Sequence, residues 1–351
     1  MSHENWGLQP STAKRRILRI LCGFCLAFWL SVSSASSGPA LRLFFVDVEG
    51  GQATLLVAPT GKSLLIDTGW PGGRDADRIA AAAKDAGIPQ IDYVLVTHYH
   101  DDHVGGVPQL VERVKVGTFV DHGTNREDSD DARANYAAYE KAIRGAKRLV
   151  VKPGDRIPLE GLDIEVVSAD GDVITKPLEG AGQTNALCAS EPGAPEDTSE
   201  NVRSVGVIIS FGKLRVLDLG DLTKRKEIQL VCPRNLLGSV DLFVVSHHGF
   251  SGSNARALVH AVRPRIAVMD NGAHKGGSPD AWQTVHDSPG LADLWQLHYA
   301  MESGKDHNVA SDFIANMDEK CEGKPIQVTA DADGTITVTN ARTGFTKSYK
   351  K

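Results

Sequence analysis

Eleven consecutive residues carry the densest chemistry in the chain: Val96-Thr97-His98-Tyr99-His100-Asp101-Asp102-His103-Val104-Gly105-Gly106. His98, His100, Asp102 and His103 place four candidate metal ligands within six positions. Neutral imidazoles with a carboxylate are the ligand set of zinc, and manganese or iron accept similar donors. His98 and His100 are two apart, so at a strand end they project to the same side. Asp102 and His103 follow one turn later and can close around a second point.

An apolar run, Ile91 to Val96, precedes the motif and reads as a buried strand; the Gly-Gly pair marks a tight exit. Upstream, Leu41 to Val48, Ala53 to Ala58 and Ser63 to Ile66 form a meander by their turn chemistry. Arg74 to Ala86 reads as a helix stopped by Gly87, and Asp130 to Arg144 as another. The polar stretch Gly123 to Ser129 is expected to lie over the site. Gly171 to Glu200, rich in Gly, Pro, Ser and Thr, reads as a long functional loop within one domain. Strands resume at Val205 to Phe211, Leu214 to Leu217, Leu242 to Val245 and Ile266 to Met269. A hairpin around Asp333-Gly334 closes the chain. The pattern predicts a single α/β domain over 41–345, with two β-rich halves covered by helices and the hairpin at 324–345.

The net charge of -6 gives no electrostatic footprint for nucleic-acid binding, and no basic patch is evident. A nuclease stays open, because metals can neutralise a bound phosphate. Lys14, Arg15 and Arg16, the apolar stretch Ile20 to Leu30 and the small residues Ser31 to Ser37 read as a signal peptide over 1–35, cleaved near Ala35. This predicts a periplasmic or secreted protein without a stable membrane span; an uncleaved anchor is the alternative. Cleavage removes Cys22 and Cys25 of the five cysteines and leaves Cys188, Cys232 and Cys321. An oxidising compartment then permits one disulfide and one free thiol, with the pairing open.

The run His98 to His103 fits the H-x-H-x-D-H signature and resembles the metallo-β-lactamase superfamily. Further pieces resemble the hydrolase domain of ComEC-type competence proteins: Phe45-Val46-Asp47-Val48, Ile66-Asp67-Thr68-Gly69, Leu219-Gly220-Asp221 and Ser246-His247-His248-Gly249. The resemblance spans roughly Leu41 to Trp295. It implies an αββα sandwich with the metal site in a cleft at one edge between the sheets. It also implies a bridging role for Asp221 and makes His247 the last ligand. His248 would then stand beyond the ligands or at the substrate, since adjacent side chains on extended backbone point oppositely. Asp67 would orient a metal-binding histidine through its ring N–H. Asn201-Val202-Arg203-Ser204 matches the branch's Asn-x-x-Ser element. The superfamily's usual histidine before the bridging aspartate is missing, and His122, at a strand end, is a candidate to replace it. Lys275 lies with Asn271 and His274 in a Gly-rich turn suited to an anionic substrate.

These readings predict an exported metal-dependent hydrolase with two zinc ions held by His98, His100, Asp102, His103, Asp221 and His247. Asp102 would orient the nucleophile, and His248 or Lys275 would assist the leaving group. The ComEC-type resemblance favours a phosphodiester, nucleic acid included. A lactone or β-lactam is the alternative within the same fold. A non-catalytic module, with metals stabilising the fold and the 171–200 loop binding a partner, is the second class.

Overall fold

In the computed structural model the described residues are 40–351; the expected signal peptide and its two cysteines lie outside them. Among the described residues, no helix is long and apolar enough to cross a membrane.

Two mixed sheets form the core. The first has nine strands, in spatial order Thr346–Tyr349, Ile336–Asn340, Ile326–Ala330, Leu41–Phe45, Thr54–Val57, Ser63–Ile66, Gln90–Leu95, Lys115–Asp121 and Lys147–Val150. The second has eight, from Ile314–Asn316 through Asp293–His298, Ile266–Met269, Leu242–Val244, Leu214–Asp218, Gly206–Phe211 and Asp163–Ala169 to Asp172–Val173. Strand side chains alternate between faces, and the clusters follow that alternation. Leu64 and Ile66 join Val216, Ile266, Val268 and Trp295 in the core between the sheets. Their neighbour Leu65 packs outward with Ile79, Ala83 and Leu110 of covering helices. On the second sheet Leu217 and Ala267 turn outward to Leu230, Leu258 and Trp282. The result is the expected αββα layering. Both central strand sets are buried on two faces, which explains why they read as continuous apolar runs rather than alternating ones.

Each sheet has a parallel half. In the first, Ser63–Ile66, Gln90–Leu95 and Lys115–Asp121 run parallel, with Ile66 opposite Leu95. In the second, Leu214–Asp218, Leu242–Val244, Ile266–Met269 and Asp293–His298 run parallel. Parallel strands deliver their following loops to one end of the sheet, where open α/β sheets place their ligands. Asp67, the His98 to His103 run and His122 leave the first sheet in this way. Asp221, His247, His248 and Asp270 leave the second.

Two details differ from expectation. The C-terminal hairpin does not end the domain: a third strand, Thr346–Tyr349, extends the sheet past residue 345. Tyr349 accepts a 3.1 Å hydrogen bond from the indole of the fully buried Trp295, so the last strand satisfies a polar group of the core. The segment 171–200 contains a short strand and a 3-10 turn at Ala186–Ala189, and it is pinned to the end of helix Lys224–Val231 by a Cys188–Cys232 disulfide. Cys321 is the free cysteine of the described residues.

The disulfide closes a 44-residue separation and restricts the unfolded chain by that loop. Cys232→Ser is expected to lower unfolding stability by about 2–4 kcal/mol. Denaturant titrations of both proteins, with and without reductant, check this: reductant should cost the wild type a similar amount and leave the variant unmoved.

Candidate metal centre

The motif loop is held from below by Asp67. Its Oδ1 accepts the Thr97 backbone N–H at 2.8 Å and its Oδ2 accepts the Thr97 hydroxyl at 2.7 Å. The same Oδ2 lies 2.7 Å from His103 Nδ1, so the ring presents Nε2 to the cleft. Thr97 Oγ1 lies 3.0 Å from His98 Nδ1, turning His98 Nε2 inward as well. The opening strand's Gly-Gly turn packs directly on the motif helix: a Cβ at Gly51 would stand 2.3 Å from the Asp102 carbonyl oxygen. Gly220, at φ +54°, sits against Thr97 in the same manner and lets the Asp221 loop reach the motif.

Asp102, His103, Asp221 and His248 form a buried cluster whose ligand atoms all lie within 4.8 Å of one another. His103 Nε2 is 3.2 Å from Asp102 Oδ2, from Asp221 Oδ2 and from His248 Nε2. His248 Nε2 is 3.1 Å from Asp102 Oδ2 and 3.4 Å from Asp221 Oδ1. Around Asp221 Oδ2 stand His247 Nε2 at 3.3 Å and His98 Nε2 at 4.0 Å. His100 is partly exposed, and its Nε2 meets Glu127 Oε2 at 3.0 Å.

The premise of extended backbone at the two adjacent histidines does not hold. His247 and His248 both adopt left-handed conformations, each at φ 53°. The chain curls, and both rings turn toward Asp221. His248 stands inside the tight cluster, with Nδ1 3.3 Å from Asp270 Oδ1, and His247 at its rim, with Nδ1 3.3 Å from Ser253 Oγ.

The electrostatics follow from burial and crowding. Burial pushes Asp102 upward, but His103, His248 and Lys275 outweigh it and hold its carboxyl well below the usual range. Asp221 is likewise buried and held well below that range by His103, His247 and His248. Burial and the charges of His103 and His100 hold His98 well below the usual imidazole range, which leaves it neutral. Farther in, burial pushes Asp218 up to about 7, even though Gly220 N and the Gln52 amide donate to it.

These residues fit divalent cations. Two imidazole Nε2 atoms face each other at 3.2 Å between two carboxylates, and at most one proton fits on that line. His98 Nε2 and Asp221 Oδ1 are buried without hydrogen-bond partners, which is costly unless something else binds them. The donors are the nitrogen and oxygen types that such metals take.

The other expected positions lie as follows. His122 Nε2 pairs with Glu200 Oε2 at 2.9 Å, both buried, instead of facing the cluster. Asn201 lines a cavity of about 580 Å³ together with His247, Phe250, Lys224 and Arg225, and its Oδ1 is buried without a partner. Lys275 Nζ touches Asp102 Oδ2 and lies 4.5 Å above the Trp70 ring. Asn271 is fully buried and ties the His298 carbonyl, while His274 is exposed beside Glu302 and Glu319. Glu127 and Asp270 were not singled out from the sequence. Glu127 comes from the polar loop expected over the site, and Ser204 accepts the Asp221 N–H at 3.2 Å. Single carboxylates in loops carry no distinguishing spacing, so only the fold exposes such roles.

Residues 46–183 match the family model of the metallo-beta-lactamase superfamily. Recombination protein 2 of Haemophilus influenzae is 26% identical over 289 residues, which is 78% of this chain and 31% of that protein. ComE operon protein 3 of Bacillus subtilis is 25% identical over 188 residues, 53% of this chain and 20% of that protein. The chain thus spans less than a third of these curated relatives. Among solved structures, the metallo-beta-lactamase fold protein YhfI from Bacillus subtilis has a TM-score of 0.45 at 12% identity, covering 73% of this chain and 95% of that one. Residues 46–183 thus carry a metallo-β-lactamase superfamily domain, and the described residues include a buried His/Asp cluster able to hold a metal ion. The chain's competence-type resemblance, read first from short motifs, extends across the alignments to these relatives.

Asp67 sets the direction of the His103 ring without reaching the cluster itself. Partners of this kind are worth about 10- to 100-fold in metal affinity. Asp67→Asn is expected to weaken metal binding by about that factor, measured by competition with a chelating dye, while far-ultraviolet circular dichroism stays at the wild-type level.

Proposed function

We propose that this protein is an exported, binuclear metal-dependent hydrolase acting on phosphodiesters. The observation that carries the reading is the buried Asp102–His103–Asp221–His248 cluster with one cationic side chain, Lys275, in contact with Asp102 at its open side. Asp102, His103, Asp221 and His248 would hold one zinc ion. His98, His100 and His247, with Asp221 shared, would hold the other.

The chemistry supplied by bound cations would be polarisation of a substrate oxygen and a lowering of the pKa of bound water from about 15.7 to about 7. The protein's own groups do the rest. The Asp102 carboxylate would accept a hydrogen bond from the attacking water and fix its direction. Lys275 Nζ, steadied over Trp70, neutralises a non-bridging phosphate oxygen and stands ready to protonate the departing one. His248 is enclosed by Asp102, Asp221 and Asp270, so we assign it to metal binding rather than to the leaving group. His247 is the more exposed of the pair and faces the 580 Å³ cavity. That cavity, bordered by the disulfide-pinned 171–200 loop, would take the substrate's outer portion. Asp67 and Thr97 keep the imidazoles aimed, which lowers the cost of organising the site at each turnover.

Export is part of the proposal. The Cys188–Cys232 bridge supports it, because disulfides persist in oxidising compartments.

The zinc- or manganese-loaded protein is expected to hydrolyse bis(p-nitrophenyl) phosphate. Chelation should abolish the activity, and Asp102→Asn should lower kcat by roughly 10²–10³-fold, the usual cost of losing one preorganised polar group. Metal content measured in parallel separates the outcomes. Two metals with lactone or β-lactam hydrolysis and no phosphodiesterase activity would overturn the substrate class. A loaded protein inert toward all three would overturn the hydrolase reading and favour a metal-stabilised binding module.

A further inference from the structure

A second cluster of metal-ligating side chains lies apart from the His/Asp cluster and shares no residue with it. Asp47 follows strand Leu41–Phe45 of the first sheet, His298 ends strand Asp293–His298 of the second, and Cys321 lies in the loop before Ile326–Ala330. The fold brings together residues 251 positions apart: His298 Nε2 is 2.7 Å from Asp47 Oδ1. Cys321 Sγ lies 3.4 Å from Asp47 Oδ2 and 3.9 Å from His298 Nε2. All three ligand atoms fall within 4.8 Å of one another. Asp47 and His298 are buried, and Cys321 is half-buried, so one side stays open to solvent.

We propose that Asp47, His298 and Cys321 form a separate mononuclear site for zinc or a similarly thiophilic divalent cation, with a fourth position open to water. The donor set is one sulfur, one nitrogen and one oxygen, the mixture zinc accepts. Tetrahedral coordination at zinc's bond lengths puts ligand atoms about 3.3–3.6 Å apart. Of the two sulfur separations, 3.4 Å falls inside that range and 3.9 Å exceeds it by a few tenths of an ångström, and the Asp47–His298 pair at 2.7 Å needs to open by roughly half an ångström.

The charges also close. Asp47 keeps the Arg78 guanidinium at 3.2 Å and the Glu49 N–H at 2.9 Å. A carboxylate has about four lone-pair directions, and the His298 and Cys321 protons occupy the remaining two. A cation takes the place of those two protons, leaving a thiolate, a neutral imidazole and a carboxylate as its ligands. Binding therefore releases protons, as at other Cys/His sites. A thiol–imidazole nucleophile fits less well, because His298 Nε2 points to Asp47 at 2.7 Å and stands 3.9 Å from the sulfur. The site joins the two sheets and anchors the 317–325 connection, so its effect is to fasten the last three strands to the body of the fold.

Cobalt substitution separates this site from the main cluster, whose donors are nitrogen and oxygen alone. The full-length protein loaded with Co²⁺ is expected to show a thiolate-to-cobalt charge-transfer band in the near ultraviolet. Cys321→Ser should remove that band and one metal equivalent per chain, while the visible d–d absorption of the main cluster remains. His298→Gln should give the same loss, and circular dichroism confirms that each variant is folded. A fully loaded wild type without the charge-transfer band would overturn the proposal. So would a band and a metal content unchanged in folded Cys321→Ser.

Discussion

Asp102 and Asp221 are carboxylates that burial alone would protonate, and the rest of the centre is arranged so that they stay ionised. A buried charge without a partner is among the largest penalties a fold can carry. Here each carboxylate is surrounded by imidazoles, with Lys275 added at the open side of Asp102. The groups that satisfy them come from both sheets, so the centre is assembled only when the sandwich closes. The converse also holds: the sandwich cannot close comfortably at this edge without something positive between the carboxylates. Only one proton fits between His103 Nε2 and His248 Nε2 at 3.2 Å, and divalent cations held among these donors would meet the rest of that demand.

The same constraint explains the less obvious supports. Asp67 is buried beneath the motif loop and spends both oxygens on Thr97 and His103. Gln52 reaches across to Asp218 at 2.6 Å, linking the opening turn of the first sheet to the strand that leads to Asp221. Gly51 and Gly220 remove side chains where two loops must touch. The left-handed pair His247–His248 is a strained element of the centre, as is Asp67 at φ 60°, since non-glycine residues rarely adopt this conformation. It places two imidazoles on one side of the chain, around one carboxylate. His247 thereby approaches the same Asp221 oxygen that His98 faces.

The Asp47–His298–Cys321 cluster follows the same logic on a smaller scale. Strand ends of both sheets bring a carboxylate and an imidazole together, and a loop from the C-terminal region adds a thiol. Asp47 belongs to the opening motif of the competence-type resemblance. His298 and Cys321 carried no motif, and nothing in their spacing relates them to Asp47.

What the sequence determined is what depends on near neighbours. The H-x-H-x-D-H run is short, dense and preceded by a buried strand, so residue type and spacing marked it; the Leu219-Gly220-Asp221 strand end and the Ser246-His247-His248-Gly249 turn were marked by the family resemblance. Short apolar runs bounded by turn residues pointed to two β-rich halves covered by helices, and the family resemblance implied their αββα layering. The tertiary structure decided whatever depends on residues meeting from afar. It turned His122 onto Glu200, since a buried carboxylate needs a donor and the ring nitrogen stands 2.9 Å from it. It set Glu127 on His100, chose Cys188–Cys232 from the possible pairings, and continued the sheet to Tyr349 to serve Trp295. It also put His248 into the tight cluster, because a backbone at positive φ does not alternate its side chains as an extended strand does. Local periodicity carries no information about such contacts; they exist only where the two sheets come together.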